Sequence, residues 1–315
     1  MSLPIILDCD PGNDDALGIL VAAGHANINL HAVTTGAGHL SGDRTVKNAA
    51  KTLHLSGRND IPLATGALNP ILRDRMIAGV LDMSSALDPE RPDLEEQDID
   101  PRSSSDLIIE SVLSEDIPTI VTTGPLTNLA IALHRSPKIV DSLDRIFVLG
   151  GSWGLGNKTA ASEWNILCDP EAAHIVFNSG IPITMIPIDA LNHVGITPQL
   201  IDRTKAIGGM VSDFAVELLQ SLIKTFRPSG TMAPKFMPLN DPVACIIAAE
   251  SEIVETYPAR VDIELHGQHT YGRTVVDFNL RNDAKANVDI VTRIDCDKTH
   301  DSFIDALTRL SNLDK

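Results

Sequence analysis

The stretch "LPIILDCDPGNDDALGIL" (residues 3–20) joins a short apolar run, a turn rich in aspartate and the start of an apolar helix. Leu3 to Leu7 has the length and composition of a buried parallel strand. Pro11 and Gly12 indicate a turn, and residues 14–26 have a helical apolar pattern. A strand that leads directly into a helix is the first half of an α/β unit, so this stretch predicts the fold class.

The same alternation continues along the chain. Further strand-like runs, rich in Ile, Val and Thr, occupy residues 29–35, 119–123, 145–149 and 183–188. Helical patterns occupy residues 43–55, 126–133 and 170–178, and extended segments at 260–265, 274–278 and 287–291 precede a last helix. This order predicts an α/β fold: a single Rossmann-like domain, residues 1–315, whose mostly parallel central sheet is flanked by helices. In such sheets the active site lies at the carboxyl ends of the strands.

Composition restricts the classes of partner. The 315 residues have a formal net charge of -17, which argues against nucleic acid and against anionic membrane surfaces. The apolar runs are too short to span a membrane, and we expect neither an export signal nor a membrane partner. The four cysteines, Cys9, Cys168, Cys245 and Cys296, lack metal-site spacing, so we expect reduced thiols in a cytoplasmic protein.

The aspartate turn requires a chemical explanation. Asp8, Asp10, Asp14 and Asp15 would raise each other's pKa unless a positive charge lay among them. Oxygen ligands favour Ca²⁺ or Mg²⁺, and Asp241 and a carbonyl near Thr123 could complete such a site. The alternative is helix capping, which explains one or two of the acids but not four.

A second polar set follows the strand at 145–149. The segment "GNKTAASEWNILCDPEAA" (residues 156–173) carries Asn157, Glu163, Asn165 and Asp169. Amide and carboxylate side chains pair well with the vicinal hydroxyl groups of a sugar, although ordinary turn chemistry is the alternative interpretation. The segment between residues 69 and 102 carries a dense charge run, which predicts either a solvated excursion or a flap over the site.

Together these motifs resemble the nucleoside hydrolase family of the inosine-uridine type. The resemblance rests on four segments in the family's order: "DCDPGNDDA" (8–16), "TTGPLTNLA" (122–130), "GGSWGLGNKTAASEWNILCDPEAA" (150–173) and "NDPVA" (240–244). It implies hydrolysis of the N-glycosidic bond of ribonucleosides, giving ribose and a free purine or pyrimidine base for salvage. It also implies a homodimer or homotetramer.

The resemblance assigns roles to individual residues. One Ca²⁺ ion would be bound by Asp10, Asp15, Asp241 and the carbonyl oxygen of Thr123, with Asp8 bracing the turn. The ribose hydroxyl groups would be held by Asp14, Asn157, Glu163 and Asn165. Asp10 would be the catalytic residue, acting as general base toward a water on the metal that attacks the anomeric carbon.

Three departures from the family pattern concern the leaving base and the ribose. Many members have a His directly before the Asp of the "NDPVA" segment, where it can protonate the leaving base. This chain has Asn240 at that position, and Asn240 is a candidate for contact with the substrate. The segment "MIAGVLDM" (76–83) lacks the His-Gly pair often found in the flap. His39 replaces a ribose-contacting Asn, and it either donates to ribose or only fills space. Residues 71–87 and 226–237, including Phe226 and Phe236, are the candidates for the base pocket.

Two alternatives therefore stay open. Because Asn240 is a poor acid, the chain could act on another N-riboside or only bind ribose. The other alternative is a phosphatase of the haloacid dehalogenase type, which also places an Asp-x-Asp motif after its first strand. The paired carboxylates Asp14 and Asp15 would repel a phosphate, which disfavours that interpretation.

Overall fold

The computed structural model describes residues 2–76, 87, 91, 93–114, 117–228 and 233–312. The strands are β1 Leu3–Cys9, β2 Ile28–Thr35, β3 Leu63–Thr65, β4 Asp100–Ser103, β5 Thr119–Thr122, β6 Arg145–Leu149, β7 Ile183–Ile186, β8 Val254–Ile263, β9 Thr274–Asp277 and β10 Val288–Ile294. The helices are α1 Asn13–Gly24, α2 Gly42–Leu55, α3 Ser104–Ser114, α4 Thr127–Arg135, α5 Trp164–Cys168, α6 Pro170–Phe177, α7 Ile188–Leu191, α8 Pro198–Ile207, α9 Met210–Thr225, α10 Asn240–Ala249 and α11 Cys296–Ser311.

The strands form one sheet in the order β4-β3-β2-β1-β5-β6-β7-β10-β8-β9. From β4 to β10 neighbouring strands are parallel, while β8 and β9 add an antiparallel edge. The predicted fold class is confirmed: the protein is a single α/β domain whose mostly parallel central sheet is flanked by helices.

The strand order reverses direction at β1. The chain leaves β1 for β2 on one side and later returns to place β5 on the other side, so that Asp8 is in register with both Thr34 and Thr122. Parallel sheets open a crevice at such a reversal, beyond the carboxyl ends of the two strands. The aspartate turn that follows β1 therefore lies at the edge of this crevice.

Apolar cores cover both faces of the sheet. On one face α1 is nearly all buried, because α2, α9, α10 and α11 pack around it. On the other face α3, α4 and α6 cover the strands. A helix that is covered on every side must be apolar on every side, which explains the uniform run from Ala16 to Ala23.

Some elements differ from the expectation. The charged segment from residue 69 to 102 ends in β4, an edge strand, and residues 77–86, 88–90 and 92 within it lie outside the described residues. The strand predicted at residues 183–188 ends at Ile186, since Pro187 precedes the short helix α7. Among the described residues, no helix has the length and apolar character needed to cross a bilayer.

Candidate active site

One cavity lies in the crevice beyond the carboxyl ends of β1, β5 and β6. Ten of the residues predicted from the sequence as site residues line it: Asp10, Asp14, Asp15, His39, Thr123, Asn157, Glu163, Asn165, Asn240 and Asp241. They come from segments that are up to 231 positions apart in the chain, from residue 10 to residue 241. Their convergence supports the interpretation of the two polar sets as parts of one site.

Three carboxylates converge at the base of the cavity. Asp14, Asp15 and Asp241 each place an oxygen within 4.8 Å of the others. Asp15 and Asp241 are only 3% and 4% exposed. Burial raises the pKa of both groups well above the usual range, and the charges of Asp10 and Asp14 raise it further. Buried like charges of this kind favour a bound cation, and all-oxygen donors select a hard one such as Ca²⁺.

Asp10 lies beside this cluster and is held in one orientation. Its Oδ2 accepts hydrogen bonds from the backbone N–H of His39 at 2.8 Å and from the His39 ring nitrogen Nδ1 at 3.3 Å. Its Oδ1 faces Gly124, where a Cβ atom would approach to 2.5 Å. Burial opposes charge on His39, but the hydrogen bond and the charge of Asp10 outweigh it and raise the pKa of His39. The backbone around Asp10 thus leaves little freedom to its carboxylate.

Asp8 lies behind the turn, as the bracing role requires. Its Oδ1 accepts from Thr34 Oγ1 at 2.7 Å and from Asn128 Nδ2 at 2.8 Å, and burial raises its pKa to about 7. The sequence did not indicate a role for Asn128, although this residue lies in the quoted segment "TTGPLTNLA". Its side chain also bonds the backbone at Thr35 and Ala67, so it ties β1, β2 and α4 together.

Asp15 combines both interpretations of the acidic turn. Its Oδ1 accepts from Thr123 Oγ1 at 2.7 Å, and its Oδ2 lies 3.5 Å from the backbone N–H of Gly12, the N-cap of α1. Capping is therefore present, but it uses only part of the carboxylate charge in the turn. Asp169, grouped with the sugar-binding set in the sequence, instead caps α6 and accepts from Thr127 Oγ1. Its predicted place among the sugar ligands is wrong.

The remaining polar side chains come from the 151–163 loop and from α5. Glu163 accepts from the backbone N–H groups of Gly151 and Asn165, both at 2.9 Å. Asn165 Nδ2 donates to the carbonyl oxygen of Thr123 at 2.7 Å, and Asn157 Oδ1 accepts from Trp164 N–H at 3.0 Å. Each side chain is thus oriented by backbone bonds while it lines the cavity.

The far end of the cavity has a mixed lining. Trp164 stacks on the ring of His39 with the centroids 4.3 Å apart, so it packs rather than standing free for a base. Leu222, Thr225 and Met237 line the cavity together with Asn240. Phe236 lies in a neighbouring cavity with Trp153. Phe226 is described and is not among the residues that line the cavity. Residues 77–86 and 229–232 of the predicted base pocket are outside the described part of the chain.

A family model described as inosine-uridine preferring nucleoside hydrolase matches residues 5–301. The chain belongs to this nucleoside hydrolase family. It is 37% identical over 310 residues to the pyrimidine-specific ribonucleoside hydrolase RihA of Citrobacter koseri, with 98% of this chain and 97% of that protein covered. RihA of Escherichia coli is 36% identical over the same share of each chain.

Solved nucleoside hydrolases have the same fold. The purine-preferring ribonucleoside hydrolase of Gardnerella vaginalis superposes with a TM-score of 0.87 at 28% identity, covering 98% of this chain and 99% of that one. A plant nucleoside hydrolase superposes with a TM-score of 0.86 at 25% identity, with the same coverage. The protein is therefore a ribonucleoside hydrolase, an enzyme of ribonucleoside catabolism.

Proposed function

We propose that the protein is a Ca²⁺-dependent ribonucleoside hydrolase that prefers pyrimidine ribonucleosides. The observation that carries the proposal is the convergence of Asp14, Asp15 and Asp241 in a cavity that Asp10 and, from the 151–163 loop, Asn157 and Glu163 also line. A cation site and a set of groups that can bind hydroxyls thus lie in the same cavity, where both can contact one substrate molecule. Capping or packing alone would not require Asp15 and Asp241, two buried carboxylates 226 positions apart in the chain, to meet.

The donor set fits a hard divalent cation. The resemblance names the carboxylates of Asp10, Asp15 and Asp241 and the carbonyl oxygen of Thr123, all of them oxygen donors, and the three acids are almost fully buried. Asp14 rather than Asp10 is the third acid whose oxygen lies within 4.8 Å of those of Asp15 and Asp241, so Asp14 borders the same site. A Ca²⁺ ion there would offset their mutual repulsion and lower the pKa of a bound water. The Thr123 carbonyl already has one partner, Asn165, and a carbonyl oxygen has a second lone pair to offer.

The protein's own residues account for the other requirements of glycoside hydrolysis. Asp10, fixed by His39, takes the proton from the attacking water. Asp14, Asn157, Glu163 and Asn165 hold the ribose hydroxyl groups, which fixes the sugar with its anomeric carbon toward Asp10. The negative charge of the buried carboxylates favours the positive, oxocarbenium-like transition state.

Two facts support the pyrimidine preference. The relatives with 36–37% identity over nearly the whole chain are named pyrimidine-specific. In this chain Asn240 begins α10 next to Asp241, where an ionisable acid for purine departure would be expected. The purine-preferring relative is less similar, at 28% identity.

A substrate panel with and without a chelator tests the proposal. Uridine and cytidine should be hydrolysed faster than inosine, and EDTA should abolish the release of reducing sugar until Ca²⁺ is restored. Asp10→Asn, which keeps the size but loses the basicity, should lower kcat by about 10² to 10⁴. Asp43→Asn, an exposed acid on α2, is the matched control. Unchanged turnover by Asp10→Asn would remove Asp10 from its role as base.

The second candidate function, activity on a different N-riboside or ribose binding alone, is favoured by Asn240. A nitrophenyl riboside needs no acid because its leaving group is already stable. Turnover of this compound without turnover of uridine, cytidine or inosine would show that the natural base is a different one. Ribose binding in a titration without turnover of any riboside would favour a binding protein.

A further inference from the structure

The 151–163 loop has no helix or strand of its own, yet it carries two of the groups proposed to hold ribose. Asn157 is exposed near the tip of the loop, and Glu163 is at its end. Bonds inside the loop close its tip and join its two ends: Thr159 Oγ1 accepts from the backbone N–H groups of Ala161 and Ser162, backbone bonds run from Gly156 to Ala160 and from Lys158 and Thr159 to Ser162, and Glu163 accepts from Gly151 N–H. These bonds leave the carbonyl oxygens of Trp153, Gly154 and Ala161, on the two limbs of the loop, to partners outside it.

Arg273, immediately before β9, bonds both limbs of this loop. Its Nη1 donates to the carbonyl oxygen of Gly154 at 2.9 Å and to that of Ala161 at 3.0 Å, and its Nη2 donates to the carbonyl of Trp153 at 3.2 Å. The guanidinium thus joins the start of the loop to its end, with Asn157 between the two. A planar, permanently charged group with five donors is suited to this task, since three carbonyls can be bonded by one side chain.

Neighbouring contacts hold the same limbs from other directions. Asp189 accepts from the backbone N–H groups of Trp153 and Gly154, at 2.9 and 3.0 Å. Trp153 and Gly154 are therefore held at their N–H groups by Asp189 and at their carbonyl oxygens by Arg273. Thr274 Oγ1 bonds both the N–H and the carbonyl of Ser152.

We propose that Arg273 is a positioning residue that sets the affinity for ribose by fixing the 151–163 loop. The proposal rests on the proposed function, because it takes Asn157 and Glu163 as the groups that bind ribose. Arg273 has no bond to the cation side of the cavity, whose residues lie after β1 and β5 and at the start of α10. Its loss should weaken sugar binding and leave cation binding unchanged.

The experiment compares Arg273→Leu, Arg273→Lys and the control Arg281→Leu, which removes an exposed arginine with one ion pair to Asp277. Arg273→Leu should raise the KM for uridine and the dissociation constant of free ribose by about tenfold, as expected for lost bonds from a charged donor. Arg273→Lys, which keeps the charge, should recover part of this loss. The Ca²⁺ dissociation constant should be the same in all of them.

Hydrogen exchange of the ligand-free proteins supplies a readout that does not depend on catalysis. Arg273→Leu should accelerate amide exchange in residues 153–163 and not in α1 or α10, whereas Arg281→Leu should leave both regions unchanged.

Equal loop protection in Arg273→Leu and the wild type, or an equal loss of ribose and Ca²⁺ affinity, would overturn the proposal. If Arg273→Leu fails to fold, the test is made with Arg273→Lys. Loop protection and ribose affinity of Arg273→Lys that equal those of the wild type would then overturn the proposal. Should the wild type hydrolyse no riboside, the proposed function fails while loop protection and ribose titration still decide the role of Arg273.

Discussion

At the scale of single residues, Asn240 is the position where the chain departs most clearly from the chemistry expected of its family. It is the first residue of α10, beside the buried Asp241, and it lines the cavity. A neutral amide can donate a hydrogen bond to a leaving base but cannot transfer a proton at neutral pH. We expect the departure of a purine, which is aided by protonation, to suffer most from this replacement.

Asn240→His should restore an acid at this position. We expect hydrolysis of inosine to rise by about 10²-fold, the lower range for general acid catalysis, with little change for nitrophenyl riboside. Steady-state kinetics with both substrates measure the effect, and the second substrate is the internal control because its departure needs no proton. An equal change for both substrates would mean that the histidine acts on the sugar or the fold rather than on the base.

His25 is a buried histidine outside the cavity. Its Nε2 contacts Glu250 Oε1 at 3.1 Å and Ser302 Oγ at 3.0 Å, so it ties the end of α1 to the end of α10 and to the middle of α11. Burial lowers its pKa below the ordinary 6.5; Arg309 lowers it further, while Glu250 and Asp305 act in the opposite direction. The net shift favours the neutral ring in the folded state.

The stability of the protein should therefore depend on His25 at mildly acidic pH. As the pH falls through 6.5, the unfolded chain takes up a proton at His25 before the folded protein does, so the free energy of unfolding decreases. His25→Gln keeps a donor at this place but does not titrate. Urea unfolding at about pH 7.5 and about pH 5.5 should show that the wild type loses more stability than His25→Gln. Equal losses would contradict the assignment.

At the scale of elements, the sequence predicted those parts of the fold that local pattern determines. The strands β1, β2, β5, β6 and β7 and the helices α1, α2, α4 and α6 lie within a few residues of their predicted bounds. The short strand β3 and the edge strand β4 were missed, because three or four residues such as Asp100–Ser103 carry no period and depend on a neighbouring strand. The helices α8 and α9 were overlooked despite their helical apolar faces.

Close helix packing supplies a prediction at this scale. At Gly24, the last residue of α1, a Cβ atom would lie 2.3 Å from the carbonyl oxygen of Ala306 in α11. At Gly42, the first residue of α2, the nearest atom would be the terminal Cδ2 of the exposed Leu68 side chain, which can rotate away. Gly24→Ala should lower the free energy of unfolding by about 1–3 kcal/mol, and Gly42→Ala should change it little. Urea unfolding of both variants measures this, and equal stabilities would refute the packing argument.

At the scale of the whole molecule, the site depends on pairings that no local pattern contains. The quoted motifs were sufficient to identify most of the acidic and amide residues that line the cavity, because a resemblance carries their long-range arrangement with it, but they did not identify lining residues such as Leu222, Thr225 and Met237. The bonds that fix those residues were not predictable. Arg273 reaches the 151–163 loop only because β9 lies at the antiparallel edge of the sheet, and His39 reaches Asp10 only because β2 is the neighbour of β1.

Cation binding should stabilise the entire fold, because the carboxylates that converge belong to α1 and α10, two helices that are far apart in the sequence and pack together in the structure. Without a cation, burial and the neighbouring aspartates raise the pKa of Asp15 and of Asp241, so it costs free energy to keep these acids ionised where α1 packs against α10. Ca²⁺ at about 100 times its dissociation constant should add about 2.7 kcal/mol to the free energy of unfolding. Thermal unfolding with EDTA and with excess Ca²⁺ measures the shift in Tm. Asp241→Asn should lose most of this shift, whereas the surface control Asp43→Asn should keep it; a Ca²⁺-dependent shift of equal size in both variants would place the ion elsewhere.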